Sequence, residues 1–492
     1  MKTSIVALLV LSAAWAVSPQ TPPTYDTHFL DKAMRAECTF VGDAKEEFVT
    51  LDRIVEEGLW PESTSHLIDP FNNGKYALKV VDVASNALIY SRGFDCMFGE
   101  YTTTAPAMAG EKRAFTRSLR FPFPKGPVLL VIEKRDKTNL LRPLFVQRID
   151  PSDSHIVREP ASLGDEVFDV IKGGDPHRKV DLVFLAEGYT AQDREKFKAD
   201  VWRVSGWLFE VEPYKGAKEK FNVTGIFRPS SERGVDEPRQ GAFKRTALDA
   251  SFDAFGVDRY LLTEEGRTLR QMAAQAPYDA IVILVNSPRY GGGGIYNDYC
   301  ITTVDNDRSQ VVFLHEFGHA FAGLADEYYL SEVAYNDFYP KGVEPLEPNI
   351  TADLDPSHVK WKDLLSPGIA LPTEWGKDQL DALDGEVQKT RQARQDELEA
   401  AKNKGLTDGQ VKAIQEKYRS KLEDLDRRIA DVHKKYAGVE DKVGLFEGAG
   451  YTSKGLYRPS VFCIMGTSKK PLEFCRVCQR AIARAIDDES GP

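Results

Sequence analysis

Alternating apolar and polar positions predict β-strands in the first third of the chain. The clearest alternating runs are Tyr76–Val83, Ala87–Ser91, Arg113–Phe123 and Val128–Glu133. A Ser85-Asn86 turn joins the first two runs, and a polar turn between two such runs is typical of a β-hairpin. We therefore predict a β-rich, sandwich-like domain over residues 25–160.

The pattern changes after residues 150–178, a stretch rich in Pro, Gly and charge that we interpret as a connecting segment. Two nearly continuous apolar runs, Lys179–Ala186 and Asp279–Val285, predict strands buried on both faces, and Gln192–Glu210 between them has helical spacing. Buried strands that alternate with helices indicate an α/β sheet covered by helices. We therefore predict a second domain over residues 175–492.

A highly charged stretch inside the second domain, residues 377–436, has a helical pattern. Apolar residues recur at steps of three and four from Val411 to Tyr436, and a weaker stripe precedes a break at residues 403–409. This pattern predicts an inserted antiparallel helical hairpin. Because its positive and negative charges are interspersed, we interpret them as a solvated face and not as a binding patch.

The first eighteen residues have the features of a signal peptide. Met1-Lys2 supplies a positive charge, Ser4–Val17 is apolar, and small residues lie at the end of this run. The run is shorter than the roughly 20 residues of a membrane-spanning helix, and an uncleaved anchor is the alternative. We predict a signal peptide over residues 1–18 and a mature protein without a membrane span, exported to the periplasm or the extracellular space.

Composition and charge narrow the classes of function. Of the 492 residues, 42% are hydrophobic and 28% are charged, which is typical of a globular protein and not of a disordered or polytopic membrane protein. The formal net charge of -11 opposes the phosphate backbone that dominates affinity for nucleic acids. We therefore expect no DNA or RNA partner, and the oligomeric state stays unknown.

Six cysteines permit three disulfides in an exported protein, and the sequence does not determine the pairing. We expect Cys38 and Cys96 to form the first pair. Cys475 and Cys478 have the spacing of half a zinc knuckle or of a redox pair, but no second CxxC or nearby CxxH completes a tetrahedral site. We interpret these two as ordinary structural thiols or disulfide partners.

The sequence His315-Glu316-Phe317-Gly318-His319 has the spacing of a zinc site. Two histidines four residues apart on a helix project from one face and can bind one metal ion. The carboxylate of Glu316 lies beside them, where it can hold the reacting water and accept its proton, while Zn²⁺ lowers the pKa of that water. The alternative is that the histidines only complete a helix interface.

The residues at the two ends of this segment support a helix. We predict Ser309 as the N-cap and Gly323 as the left-handed residue that ends the helix.

Zinc needs a further protein ligand, and two family patterns supply one. A thermolysin-like enzyme uses a Glu from a later helix, whereas a metzincin uses a residue just past a helix-ending glycine and has a later methionine turn. The second pattern fits better, because Asp326 follows Gly323 by three residues and Met465 lies downstream.

The sequence therefore resembles the metzincins, and more narrowly the secreted bacterial peptidases grouped with the IgA-specific metalloendopeptidase. The motifs that support this resemblance are Leu185–Thr190, His315–Tyr328 and Tyr457–Met465. The resemblance covers most of the mature chain except the 377–436 insertion. It implies an α/β (α+β) catalytic domain with a twisted mixed sheet, one catalytic Zn²⁺ ion and a protein or peptide substrate.

The resemblance also implies the roles of individual residues. His315, His319 and Asp326 would bind zinc, Glu316 would be the catalytic residue, and Met465 would form a structural floor under the metal. The spacing departs from the usual metzincin pattern, since three residues separate His319 from Gly323 and an acid replaces the third histidine. The third ligand is therefore Asp326 or, as alternatives, Glu327 or a more distant carboxylate.

Two further features are weaker candidates. Gly293 and Gly294 belong to a run of four glycines where a substrate backbone can pair with an edge strand, and a flexible loop without a substrate role is the alternative. Tyr457 or another tyrosine is a candidate for steadying the oxyanion, although the spacing selects none of them.

The leading functional hypothesis is a secreted zinc-dependent endopeptidase that acts on extracellular proteins. The alternative is a catalytically silent, zinc-containing exported protein for binding or adhesion. An intact HExxH motif favours the enzyme, because a protein that no longer cleaves has no need for Glu316. The natural substrate, immunoglobulin or another protein, is not predictable from the sequence.

Overall fold

The computed structural model describes residues 23–160, 162–330, 338–404 and 406–491. The predicted signal peptide, residues 1–18, lies outside the described residues. Among the helices of the described residues, none is both long enough and apolar enough to cross a membrane.

Residues 25–160 form two four-stranded sheets. The strands are β1 (Phe29–Gly42), β2 (Glu47–Glu56), β3 (Tyr76–Asp82), β4 (Leu88–Phe94), β5 (Arg113–Pro124), β6 (Val128–Arg135), β7 (Leu141–Ile149) and β8 (Val157–Arg158). The sheet orders are β5-β1-β2-β8 and β4-β3-β6-β7, and every pair is antiparallel except the short β2–β8 pair. The predicted hairpin is β3–β4, with Val80 opposite Tyr90. Three short helices complete this region: α1 (Tyr25–His28), α2 (Met97–Tyr101) and α3 (Ala105–Met108).

A buried arginine lies inside this region. The side chain of Arg35 on β1 is 0% exposed and forms ion pairs with three carboxylates, those of Glu37, Glu57 and Glu159. The Nη2 atom of Arg35 is 3.0 Å from Glu37 and 2.9 Å from Glu159. A buried charge needs such partners, because an isolated ion in a low-dielectric interior is costly.

The described residues after 162 contain a mixed sheet of six strands in the order β13-β14-β12-β10-β11-β9. These strands and their helices are β9 (Glu166–Ile171), β10 (Val180–Glu187), α4 (Arg194–Leu208), β11 (Phe221–Phe227), α5 (Gly266–Ala273), β12 (Ala280–Val285), β13 (Gly292–Ile295), β14 (Tyr299–Thr303) and α6 (Ser309–Ala322). The four inner strands are parallel, and the two edge strands are antiparallel to their neighbours. The two predicted buried strands and the helix between them correspond to β10, β12 and α4.

Strand β9 differs from the expectation of a connecting segment over residues 150–178. Residues Glu166–Ile171 pair with β11 and form one edge of the mixed sheet. Only Val170 of this strand is buried, and its polar and apolar residues do not alternate. A half-exposed edge strand needs few apolar residues, and the surrounding Gly, Pro and charge therefore concealed it.

The two faces of the mixed sheet are covered by different structures. Consecutive residues of a strand point to opposite faces, and on β10 Val183 joins the core of the N-terminal sheets while Phe184 joins a second core beneath helices α4 and α6. The expectation of helices over the sheet is thus correct for one face. On the other face the N-terminal β-sheets and α5 share the cover, so the two regions have a common core.

The remaining described elements follow α6. They are α7 (Lys377–Asn403), α8 (Asp408–Glu440), β15 (Phe446–Ala449), β16 (Thr452–Arg458) and α9 (Arg476–Ser490). Ion pairs join Arg428 to Glu386 at 2.8 Å and Lys417 to Glu397 at 2.7 Å. Because the partners approach each other along the sequence, α7 and α8 are antiparallel, as the apolar pattern predicts.

The cysteines do not form the expected disulfide. All six lie in the described residues, all six are buried and none is bonded to another. Cys38 and Cys96 belong to the core of the N-terminal region, where a free thiol packs like a small apolar side chain. The expected pairing of these two residues is wrong in this structure.

Candidate metal centre

Helix α6 positions the two histidines of the HExxH motif. The helix ends at Gly323, whose φ of 59° is left-handed, as predicted for a glycine that ends a helix. The predicted N-cap is wrong, because Ser309 is the first helical residue and Arg308 precedes it. The Ser309 hydroxyl instead accepts a hydrogen bond from the Asn306 amide at 3.2 Å, which closes the preceding turn.

Three side chains from this region converge on one point. The Nε2 atoms of His315 and His319 are 3.1 Å apart, and Oδ1 of Asp326 is 2.9 Å from the first and 3.3 Å from the second. A tetrahedral ion with bonds of about 2.0 Å separates its ligands by roughly 3.3 Å. The geometry of these three atoms therefore fits a single metal ion.

The hydrogen bonds on the far side of each ring orient the histidines. Nδ1 of His315 donates to the Ile464 carbonyl at 2.9 Å, and Nδ1 of His319 donates to the Leu324 carbonyl at 2.6 Å. A carbonyl oxygen only accepts, so each Nδ1 bears the proton and each Nε2 presents a lone pair to the common point. This arrangement is the one that metal-binding histidines use.

The Asp326 carboxylate completes this group of ligands. Its side chain is 4% exposed, and its Oδ2 atom accepts a hydrogen bond from the Tyr451 hydroxyl. When both Nε2 atoms are deprotonated, Oδ1 accepts no hydrogen bond from the described residues. A buried carboxylate oxygen without a donor is unfavourable, and a bound cation removes this cost.

The charges of the group shift the pKa values of its members. Burial lowers the pKa of His319, but Asp326 outweighs burial and raises it to about 9, and the pKa of His315 shifts upward for the same reason. Burial raises the pKa of Asp326, but the two histidines outweigh burial and hold it below the usual range. The three side chains therefore attract positive charge, which a proton or a metal ion can supply.

Glu316 lies beside the two histidines on α6. Burial raises its pKa, and the two histidines partly oppose the shift. Strand β13 lies so close that a Cβ atom on Gly292 would be 3.1 Å from Cγ of Glu316. The carboxyl group lines a cleft of about 840 Å³ together with His315 and His319. A carboxyl group beside a metal site can accept and return a proton.

The glycine run forms strand β13 at the edge of the mixed sheet, and not a flexible loop. Gly293 and Gly294 line the cleft, and a Cβ atom on Gly294 would be 2.2 Å from the Glu316 carbonyl oxygen. Only glycine permits this approach between strand and helix. The outer side of the strand is partly paired, since the Leu261 amide donates to the Gly292 carbonyl at 3.4 Å.

Met465 packs against helix α6 within the HExxH segment. It is fully buried, and its Sδ atom would be 2.7 Å from a Cβ atom on Gly318, which directly precedes His319. Its carbonyl accepts a hydrogen bond from the Glu327 amide at 2.7 Å. The segment around Met465 therefore packs against α6 and is also bonded to the chain that follows Asp326.

The structure adds two tyrosines and an arginine that the sequence reasoning missed. Tyr451 contacts Asp326, Tyr328 stacks on His315 with ring centroids 6.0 Å apart, and Arg259 lines the same cleft. No spacing rule could have selected Tyr451 at the tip of the β15–β16 hairpin or Arg259 in a loop. Tyr457 does not line this cleft; its backbone pairs with Thr351.

Glu327 and Asp326 point to different places. The Glu327 side chain is 0% exposed, and its Oε1 atom lies 3.0 Å from Sγ of Cys478. The two adjacent carboxylates therefore belong to separate groups, and Asp326 is the one that meets the histidines.

Comparisons with known proteins identify the family of this chain. A family model described as IgA Peptidase M64 matches residues 168–486, and a model described as Peptidase M64 N-terminus matches residues 24–146. No curated protein matches the chain at a significant level. The first family model alone covers more than half of the chain, and its match includes α6, Asp326 and Met465.

Proposed function

Because this chain belongs to the M64 family of peptidases, whose members are metallopeptidases, we propose that it is a secreted zinc endopeptidase. In this proposal His315, His319 and Asp326 bind one zinc ion. The observation that supports it most is the convergence of the three ligand atoms, with both Nδ1 protons held away by carbonyl groups. The substrate of a peptidase is a protein or a peptide.

Glu316 is the proposed general base and acid. Bound zinc supplies Lewis acidity at the scissile carbonyl and lowers the pKa of water. Glu316 accepts a proton from the attacking water and then passes it to the leaving amine. Glu316 suits both steps because it lines the same cleft as the two histidines.

Strand β13 is the proposed binding edge for the substrate. A peptide in an extended conformation would pair with the backbone near Gly293 and Gly294, and this would bring its scissile bond to the side of Glu316. The glycine after α6 and the position of Met465 also support a metzincin-like arrangement. Export through residues 1–18, to the periplasm or the extracellular space, belongs to the same proposal and rests on the sequence pattern.

The decisive test combines metal content with cleavage of an unbiased peptide library. Wild-type protein should bind zinc and cleave, Glu316→Gln should keep its metal and lose cleavage, and Asp326→Ala should bind zinc more weakly. Glu195→Gln, on the exposed surface of α4, is the matched control and should behave as the wild type.

Two outcomes would contradict the proposal. Full zinc content in the wild type without any cleavage would favour the silent binding or adhesion protein. Undiminished zinc affinity in Asp326→Ala would show that another group is the third ligand.

A further inference from the structure

A second group of metal-binding side chains lies on the other side of the Asp326-Glu327 pair. Glu327, Cys463, Cys475 and Cys478 each present one ligand atom, and these four atoms lie within 4.8 Å of one another. All four residues are buried, with exposures from 0% for Glu327 to 9% for Cys475. We propose that this group binds a second, structural zinc ion.

The distances match a tetrahedral site. Zinc–sulfur bonds of about 2.3 Å place two sulfur ligands roughly 3.8 Å apart and an oxygen ligand roughly 3.5 Å from each sulfur. Sγ of Cys463 is 3.7 Å from Sγ of Cys478, and Oε1 of Glu327 is 3.0 Å from Cys478 and 3.9 Å from Cys475. Four protein ligands and no open position are typical of a structural zinc site.

The backbone hydrogen bonds point to sulfur atoms that act as acceptors. The Cys475 amide donates to Sγ of Cys463 at 3.3 Å, and the Cys478 amide donates to Sγ of Cys475 at 3.5 Å. Cys475 directly precedes α9, so its sulfur also lies at the positive end of that helix. These contacts stabilise thiolates, and thiolates are the form in which cysteine binds zinc.

The carboxylate of Glu327 has the surroundings of an oriented ligand. Its Oε1 accepts a hydrogen bond from Nδ2 of Asn349 at 2.9 Å, and a partner of this kind orients a metal-binding carboxylate. Its Oε2 is buried and accepts no hydrogen bond from the described residues. A single disulfide would join only two of the three sulfurs and leave Oε2 of the buried carboxylate without a hydrogen bond from the described residues. A divalent ion instead uses all four groups, and thiolates favour zinc over magnesium or calcium.

The second site would stabilise the first through the backbone. Glu327 follows Asp326 directly, and Cys463 is adjacent to Ile464, whose carbonyl accepts the Nδ1 proton of His315. A metal bound by both Glu327 and Cys463 therefore holds the neighbouring ligand Asp326 in place. It also holds the Ile464 carbonyl, which orients His315. We expect loss of the second metal to weaken metal binding at the first site without changing the residues that line the cleft.

The test is metal stoichiometry of the full-length protein after saturation with Zn²⁺ and removal of free ion. Wild type should contain two zinc ions per chain, and His319→Ala and the double variant Cys475→Ser with Cys478→Ser should each lose one. The matched control Cys38→Ser removes a buried thiol elsewhere and should keep two. Loss of metal in His319→Ala tests the proposed function, and loss of metal in the double cysteine variant tests the second site. Failure of one proposal is therefore distinguishable from failure of the other.

A spectroscopic readout on the wild type avoids variants that do not fold. After exchange into Co²⁺, the protein should show thiolate-to-cobalt charge-transfer absorption, and His319→Ala should retain it. Alkylation and mass spectrometry of the unreduced wild type should find no disulfide among the three cysteines. A Cys463–Cys478 disulfide, or Co²⁺ saturation without the charge-transfer band, would overturn the proposal.

Discussion

Gly294 allows strand β13 to lie directly against helix α6 beside the proposed metal ligands. A Cβ atom at this position would be 2.2 Å from the Glu316 carbonyl oxygen and 3.1 Å from Cβ of His319. Non-bonded heavy atoms pack at about 3.5 Å, so Gly294→Ala must move the strand and the helix apart by roughly 1 Å. The substitution thus changes the distance between the proposed substrate edge and Glu316 without removing any catalytic group.

The expected effect on catalysis is large. A misplacement of about 1 Å costs on the order of 100-fold in rate, and overpacking costs about 1–3 kcal/mol of stability. We expect kcat/KM for the best peptide of the library to fall about 100-fold while the zinc content stays that of the wild type. Steady-state cleavage, metal analysis and urea unfolding measure the three quantities.

The control is Gly206→Ala on helix α4. A Cβ atom on Gly206 would have no neighbour within 4 Å beyond its own helix. Alanine in a helix interior is favoured over glycine by about 1 kcal/mol, so this variant should be active and slightly more stable. Wild-type kcat/KM in Gly294→Ala would refute the argument that this contact sets the position of β13.

Three further predictions concern other parts of the molecule. Tyr451→Phe removes the hydroxyl that donates to Asp326, so zinc affinity should fall about 10-fold to 100-fold, as measured by competition with a chelator. Unchanged affinity would show that this hydroxyl does not support metal binding by Asp326. Burial raises the pKa of Asp181 to about 6, so its contribution to stability falls as pH rises from about 4 through 6. Urea unfolding should therefore show a larger stabilisation by Asp181→Asn at high pH: its free energy of unfolding relative to wild type should be about 1–3 kcal/mol higher at about pH 7.5 than at about pH 4.5. An equal difference at the two pH values would contradict this. Arg35→Met removes the ion-pair partner of the buried Glu57 carboxylate, while Glu37 keeps Arg53 and Arg267, and it should cost about 3–5 kcal/mol in the same assay. A loss below about 1 kcal/mol would show that Glu57 finds another partner.

The sequence by itself determined the features that depend on local periodicity. The β3–β4 hairpin, the buried strands β10 and β12 and helix α6 follow from apolar patterns within a few residues. The shared face of His315 and His319 follows from the same local geometry, because four residues are close to one helical turn. Edge strand β9 escaped prediction, since a half-exposed strand has a weak apolar pattern.

Only the tertiary structure decided which distant groups meet. Asp326 and Glu327 are adjacent in the sequence and equally acidic, yet the first meets the histidines and the second meets the cysteines. The packing of Met465 against Gly318 on α6 brings Cys463 close to Cys475 and Cys478, and no CxxC rule includes a ligand so far away. Local spacing thus determines ligands on one helix, whereas ligands from different segments depend on how the core packs those segments together.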